Sequence, residues 1–125
     1  MVKNKVEKFN CPIGTTLGVI GGKYKVLIIW HLYNDKCLRY GELQKIIENI
    51  TPKMLTSQLR ELENDKLITR TVYPVVPPKV EYTLTNLGES LVPILFEMKK
   101  WENFTKILKR IVKTLAIFDK SNTLL

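Results

Sequence analysis

One histidine and two cysteines are all that this 125-residue chain offers for soft-metal or nucleophilic chemistry. There is no Cys-x-x-Cys pair to hold zinc, and Gly21-Gly22-Lys23 lacks the spacing of a phosphate-binding loop. No nucleophile, base and orienting group can be assembled from His31, Cys11 and Cys37, so an enzyme is the weakest reading and neither metal nor cofactor is expected. Two cysteines are too few for a disulfide framework. No apolar run reaches the roughly 18 residues of a membrane span. The segment Met1 to Asn10 is polar and Lys-rich, without the apolar stretch of a secretory signal. Together these absences predict a cytoplasmic protein with reduced thiols and no membrane association.

The composition, 45% hydrophobic and 26% charged, is that of an ordinary globular chain, and the length predicts a single domain over 1–125. A net charge of +8 favours a polyanionic partner. The excess lies at the ends. Residues 1–37 carry six basic against two acidic side chains, residues 38–85 seven against six, and residues 86–125 seven against four. Bulk charge therefore does not locate a binding surface.

Pro12 suits the first position of a helix that Gly21-Gly22 ends. A second helix, about Tyr24 to Tyr33, carries Val26, Leu27, Ile29, Trp30 and Tyr33 at helical spacing. A third, about Tyr40 to Ile47, turns Leu43, Ile46 and Ile47 inward. Thr51 then reads as an N-cap and Pro52 as the first residue of a fourth helix, to about Asp65. Two short helices with a tight connection resemble a helix-turn-helix. Residues 68–75 and 79–85 read as strands around a stiff Val76-Pro77-Pro78 turn. The predicted fold is mainly α with a small β hairpin: a winged helix-turn-helix followed by a long C-terminal dimerisation helix. In that last segment Leu87, Leu91, Ile94, Met98, Trp101, Thr105, Leu108, Val112 and Leu115 step by four and three, a heptad seam with one polar position. Pro93 should kink this helix or mark its early stretch.

On the fourth helix, Leu55, Leu59 and Leu62 must face the core. Lys53, Ser57, Arg60 and Asn64 lie about 180° away, with Thr56 and Glu61 flanking. Arg can bind guanine through two hydrogen bonds, and Ser, Thr and Asn can reach base edges or phosphates, so these side chains are candidate DNA contacts. The same face would also serve as an ordinary solvated surface. Lys79 and Arg70 are candidates on the hairpin, where a basic residue reaches the minor groove or its phosphates, or merely keeps an edge strand soluble. Arg39 is a candidate phosphate contact, or a plain surface residue. Cys11 stands where an N-cap would, and the N–H groups there, with Lys8 nearby, favour a thiolate open to oxidants and electrophiles. An inert small residue at a helix start is the alternative. Cys37 has no activating feature, and His31 lies on an apolar helix. Met98, Trp101 and Phe104 could line a ligand pocket, but heptad spacing favours packing between copies.

Three stretches carry a family resemblance. They are Cys11-Pro12 with Gly21-Gly22-Lys23-Tyr24-Lys25; Arg39-Tyr40-Gly41-Glu42-Leu43; and the run Thr51 to Glu63 followed by Tyr73 to Gly88. In this order and spacing they resemble the HxlR family of winged-helix transcriptional regulators across about residues 11–104. Residues 105–125 read as an added stretch of dimer helix. The resemblance implies a homodimer built from the first and last helices, a recognition helix at about 52–65 and a wing near 76–79. It also implies, as in some members, sensing of quinones, aldehydes or disulfide stress through a cysteine at the place of Cys11, often by a disulfide between subunits. Tyr24 stands where the family usually has Trp, and Gly41 where Ser or Asn is commoner. Cys37 is not part of the motif.

The expected function is thus sequence-specific regulation of transcription by a homodimer on a palindromic duplex operator, with dimer contacts from Leu91, Ile94, Met98, Trp101, Leu108, Val112 and Leu115. The inducer is left open. The near-neutral stretch 38–85 keeps a second reading in play, a winged-helix protein-interaction module without specific DNA binding.

Overall fold

Cys11 and Pro12 open the first helix as their residue types dictate. In the computed structural model, which describes residues 11–123 with side chains to Asp119, α1 spans Pro12–Ile20. The Gly14 N–H donates to Cys11 Sγ at 3.2 Å, so the thiol is the cap. Lys8, expected to support it, lies outside the described residues. Gly21 and Gly22, the latter at φ +94°, end the helix.

Helix α2, Lys25–Asp35, buries Ile28, Ile29 and Leu32 and is the centre of the core. Strand β1, Cys37–Arg39, follows, then α3, Tyr40–Ile46. The Arg39 backbone N–H at the start of α3 donates to the Glu42 carboxylate at 2.9 Å, half of a capping box. Helix α4, Pro52–Asn64, is capped by Thr51, whose Oγ1 accepts from the Met54 N–H at 3.1 Å. Strands β2, Ile68–Tyr73, and β3, Lys79–Leu84, form the hairpin. The sheet has the antiparallel order β1-β3-β2, with Leu38 opposite Tyr82 and Tyr73 opposite Lys79. Helix α5, Asn86–Glu89, is capped by Thr85, and α6 runs Val92–Thr123.

Two expectations need correction and a third is extended. Ile46 does not turn inward but is 37% exposed. The helix ends there, and Ile47 reaches the core from an extended backbone rather than from helical spacing. The expected hairpin is present, and β1, too short to show an alternation, adds a third strand to it. The heptad drawn from Leu87 is not one helix. In a continuous helix the residue at 93 would donate its N–H to the Glu89 carbonyl, and proline has none to give. The chain therefore breaks at Ser90 and Leu91 and restarts at Val92, with Pro93 in the first turn, where the missing N–H costs nothing. Leu87 and Leu91 thus lie off the long helix.

The chain divides into two compact units between Val92 and Pro93. The first holds the core: Ile28, Ile29, Leu32, Leu38, Leu43, Leu55, Leu59, Leu62, Leu67, Ile68 and Tyr82 are all buried. The second is the body of α6, which carries an exposed apolar row that includes Ile94, Met98, Trp101, Leu108, Val112 and Leu115.

Two glycines make opposite demands. A Cβ on Gly88 would stand 2.1 Å from the Leu67 carbonyl oxygen, a backbone atom that Thr85 N–H also binds. A Cβ on Gly41 would meet nothing within 4 Å. Gly88→Ala should cost about 3 kcal/mol, whereas Gly41→Ala should leave stability unchanged or raise it by up to about 1 kcal/mol. Urea midpoints at constant slope measure both, and equal midpoints would contradict this assignment of space.

Candidate nucleic-acid interface

Helix α4 is amphipathic, and this decides what it can offer a partner. Leu55, Leu59 and Leu62 are buried, each contributing about 1.5–3 kcal/mol of transfer free energy. Lys53, Ser57, Arg60 and Asn64 are exposed on the far side, and Thr56 is half-buried. Pro52, Lys53, Thr56, Ser57, Arg60 and Glu61 line one shallow groove along the helix. The predicted face is therefore assembled as the spacing required.

The first turn of α4 is held from α3. The Tyr40 hydroxyl donates to the Pro52 carbonyl at 2.9 Å and lies 3.3 Å from Thr56 Oγ1. The Tyr24 hydroxyl donates to the Asn49 carbonyl at 3.3 Å, and the Gln44 side-chain amide donates to the Ile50 carbonyl at 3.2 Å. Three side chains thus tie down the turn between α3 and α4. Each of the three donates to a backbone carbonyl, a partner that no residue pattern in the sequence marks.

Arg70 lies on β2, opposite Tyr82 and away from the hairpin tip. It shares a cleft of about 330 Å³ with Arg60, Tyr40, Thr56, Leu59, Glu63 and Tyr82. The fold therefore sets Arg70 beside α4. Arg39 is exposed at the start of α3.

Lys79 is placed differently from the expectation. It is the first residue of β3, its Nζ is 2.9 Å from Glu81 Oε1, and it stands over the Tyr73 ring at 5.0 Å. The tip itself is apolar: Val75, Val76, Pro77 and Pro78 are exposed, Val76 at 99%. Glu81 also accepts from Cys37 Sγ at 3.2 Å and from the Tyr73 hydroxyl at 3.3 Å. Partial burial and the Glu81 carboxylate push the Cys37 thiol up from its ordinary range, while Lys79 holds Glu81 below the usual carboxylate value. Cys37 is therefore kept as a thiol, whereas Cys11 is exposed. Spacing gave no hint of this cluster, whose members come from three strands.

Glu61 is the acidic member of the groove. Its Oε2 lies 2.7 Å from Lys25 Nζ, and the side chains are 32% and 3% exposed. Among the described residues no cluster of three or more His, Cys, Asp or Glu is placed to hold a metal ion, and no helix is long and apolar enough to cross a membrane.

The profile of the HxlR-like helix-turn-helix family matches residues 19–110. A Fusobacterium mortiferum protein that carries the name regulatory protein MalR is 51% identical over 95 residues, 76% of this chain and 90% of its own. The HTH-type transcriptional regulator YdeP of Bacillus subtilis is 52% identical over 91 residues, 73% of this chain and 70% of its own. The redox regulator HypR in its reduced form superposes with a TM-score of 0.73 at 47% identity, covering 77% of this chain and 94% of its own; its oxidized form gives 0.70 at 49%. The winged-helix fold, the capped recognition helix and these relatives agree: the chain belongs to the HxlR-like helix-turn-helix family of transcriptional regulators.

Proposed function

We propose that this regulator binds a palindromic duplex operator as a homodimer and that Cys11 makes it responsive to oxidants or electrophiles. The observation that carries the DNA reading is the exposed face of α4, held by Thr51 and Tyr40 at its first turn and backed by three buried leucines. Lys53, Thr56, Ser57, Arg60 and Asn64 read or position the major groove, with Arg70 beside them and Arg39 on a backbone phosphate. In a two-fold dimer the two recognition helices take half-sites about 34–36 Å apart. Selection of bound sequences from random duplex DNA tests this directly, and a pool with no inverted repeat would overturn the symmetry.

The dimer is assigned to α6, whose Ile94, Met98, Trp101, Leu108, Val112 and Leu115 are exposed along one row. Leu91, in the preceding turn, is half-buried and at most borders that row. Phe104, Ile107, Ile111 and Phe118 are exposed too and widen the apolar face beyond the four–three seam. A face this wide in water is a reason to associate. The helix runs on to Thr123, past the end of the family match at 110.

The redox role rests on Cys11, exposed with a backbone N–H aimed at its sulfur, and on likeness to HypR, described as a redox regulator in oxidized and reduced forms. Thiolate, not thiol, is the reacting species. In a disulfide between subunits two thiols give up two protons and two electrons, taken up by the oxidant.

Arg60→Ala should weaken operator binding by roughly 1–3 kcal/mol and relax preference at one base pair per half-site. Lys79→Ala should cost less and act alike on all duplexes, because Glu81 already holds that cation. Titrations at several salt concentrations check both. An Arg60→Ala protein that binds like the parent would contradict the assigned face.

Truncation after Phe104 removes Leu108, Val112 and Leu115 and should weaken the dimer at least tenfold by sedimentation. The far-ultraviolet spectrum should still report a folded helix-turn-helix, because the core leucines lie upstream. An unchanged dimer constant would remove the role given to residues 105–125.

Cys11 should react with limiting maleimide ahead of Cys37, whose thiol partial burial and the Glu81 carboxylate hold protonated. Diamide should give a cross-linked dimer on a non-reducing gel, absent in Cys11→Ser, and should alter DNA affinity only where Cys11 is present. Equal labelling rates together with oxidant-indifferent binding would leave Cys11 as a packing residue.

A further inference from the structure

The body of α6 keeps its two kinds of side chain apart. With about 3.6 residues per turn, Phe104, Ile107, Leu108, Ile111, Leu115 and Phe118 fall within an arc of about 100°. Lys106, Lys109, Arg110 and Lys113 fall within a second arc of about 100°, roughly opposite the first. All of these side chains are exposed. Glu102 bounds the basic face on one side and Ile117 on the other.

This face carries more positive charge than its own acids can offset. Between Asn103 and Phe118 the chain has four cations and neither Asp nor Glu. Lys106 is bound by Glu102, but Lys109, Arg110 and Lys113 have no acidic residue within four positions. Earlier in the same helix, Lys100 pairs with Glu97. Like charges three and four positions apart repel and weaken a helix, and a polyanion laid along the face removes that repulsion. The C-terminal end of α6 does not account for the cations. The macrodipole acts within the last turn, and Lys113 stands more than two turns before Thr123.

The four cations span about 10 Å of helix, over which a duplex presents about six phosphates. A helix that lies on an anionic bilayer inserts its apolar face among the headgroups. In the dimer reading above, a second copy covers that face of α6, so the cations meet a partner without an apolar anchor. Charge alone suits a nucleic-acid backbone.

Resting on the dimer and DNA-binding readings above, we propose that Lys106, Lys109, Arg110 and Lys113 form a second, sequence-independent contact with the phosphate backbone of duplex DNA. Helix α4 supplies preference among sequences, and the basic face of α6 adds affinity for all of them. The face crosses the end of the family match at residue 110, so its full length belongs to the long helix of this chain.

The test is the triple variant Lys109→Gln, Arg110→Gln, Lys113→Gln. Its control loses the same charge elsewhere, through Lys36→Gln, Lys66→Gln and Lys100→Gln. Both are titrated by fluorescence anisotropy against a random-sequence duplex and a selected operator across a range of salt. At about 50 mM salt the triple variant should bind the random duplex at least tenfold more weakly, with a log–log salt slope shallower by about two to three. The control should lie within about threefold of the parent, and the ratio of operator to random affinity should be unchanged in the triple variant. Its dimer constant should be unchanged too, because the apolar face is untouched. Equal losses in the triple variant and the control would reduce the effect to net charge and overturn the inference, as would a weakened dimer. Co-sedimentation with vesicles of phosphatidylglycerol and phosphatidylcholine is the third readout. Vesicle binding that the triple variant loses, with duplex binding unmoved, would give the face to lipid and overturn the inference. The two readings fail separately. If Arg60→Ala leaves sequence preference intact while the triple variant loses random-duplex affinity, the assignment of α4 fails and this inference stands.

Discussion

The burial of Leu55, Leu59 and Leu62 is the constraint on which the rest of the molecule turns. A helix with one apolar stripe must place that stripe against other apolar surface, and here α2, with Ile28, Ile29 and Leu32 buried, and β2 pack against α4. Once those leucines are seated, the opposite face has no freedom. Lys53, Ser57, Arg60 and Asn64 go to solvent because they lie half a turn away. The exposed polar face is therefore a consequence of the core, with its side chains on a rigid element. The polar bonds at the first turn complete the constraint, since an α4 free to rotate about its leucines would lose the register of its contacts. Tyr40 removes that freedom by binding the Pro52 carbonyl beside Thr56.

The sheet has a similar economy. Strand β3 lies between β1 and β2, so side chains from all three can converge on a β3 residue. Glu81 is that residue, taking Lys79 from its own strand, Tyr73 from β2 and Cys37 from β1. One carboxylate thereby withdraws the wing's basic residue from the tip and, together with partial burial, keeps one of the two thiols protonated. The two cysteines are chemically distinct for reasons of placement: one caps a helix in the open, and the other donates to a carboxylate within a sheet.

Much of this was legible in the sequence where local chemistry decides the outcome. Thr51-Pro52 specified the start of α4 because the cap and the missing N–H are properties of those two residues. Gly21-Gly22 stopped α1 for equally local reasons. The leucine row gave the core face of α4 by periodicity alone. What failed was non-local. β1 has three residues, and it is a strand because β3 lies beside it. Ile46 follows the helical period but misses the core, because the chain leaves the helix at that point. The seam from Leu87 ran through a break that Pro93 had signalled, since apolar spacing persists across a turn even when the backbone does not. The side chains that tie the α3–α4 turn bind carbonyls contributed by other segments, and the Lys25–Glu61 pair joins residues 36 positions apart.

That last pair bears on how charge should be counted. Residues 38–85 hold seven basic and six acidic side chains, a near-neutral sum that weighs against nucleic acid if charge is treated as a total. A phosphate backbone responds to the arrangement of charge within about a Debye length, roughly 10 Å at 0.1 M salt. Within the segment, Glu81 is matched by Lys79, and Glu42 accepts a backbone N–H at the start of α3. Glu61 is matched by Lys25, a cation from outside the segment that the sum never includes. Around α4, Lys53 and Arg60 stand on the exposed face, and Glu63 shares a cleft with Arg60 and Arg70. A near-neutral total over residues 38–85 therefore does not fix the sign of any one face, because each charge acts from the place where the fold holds it.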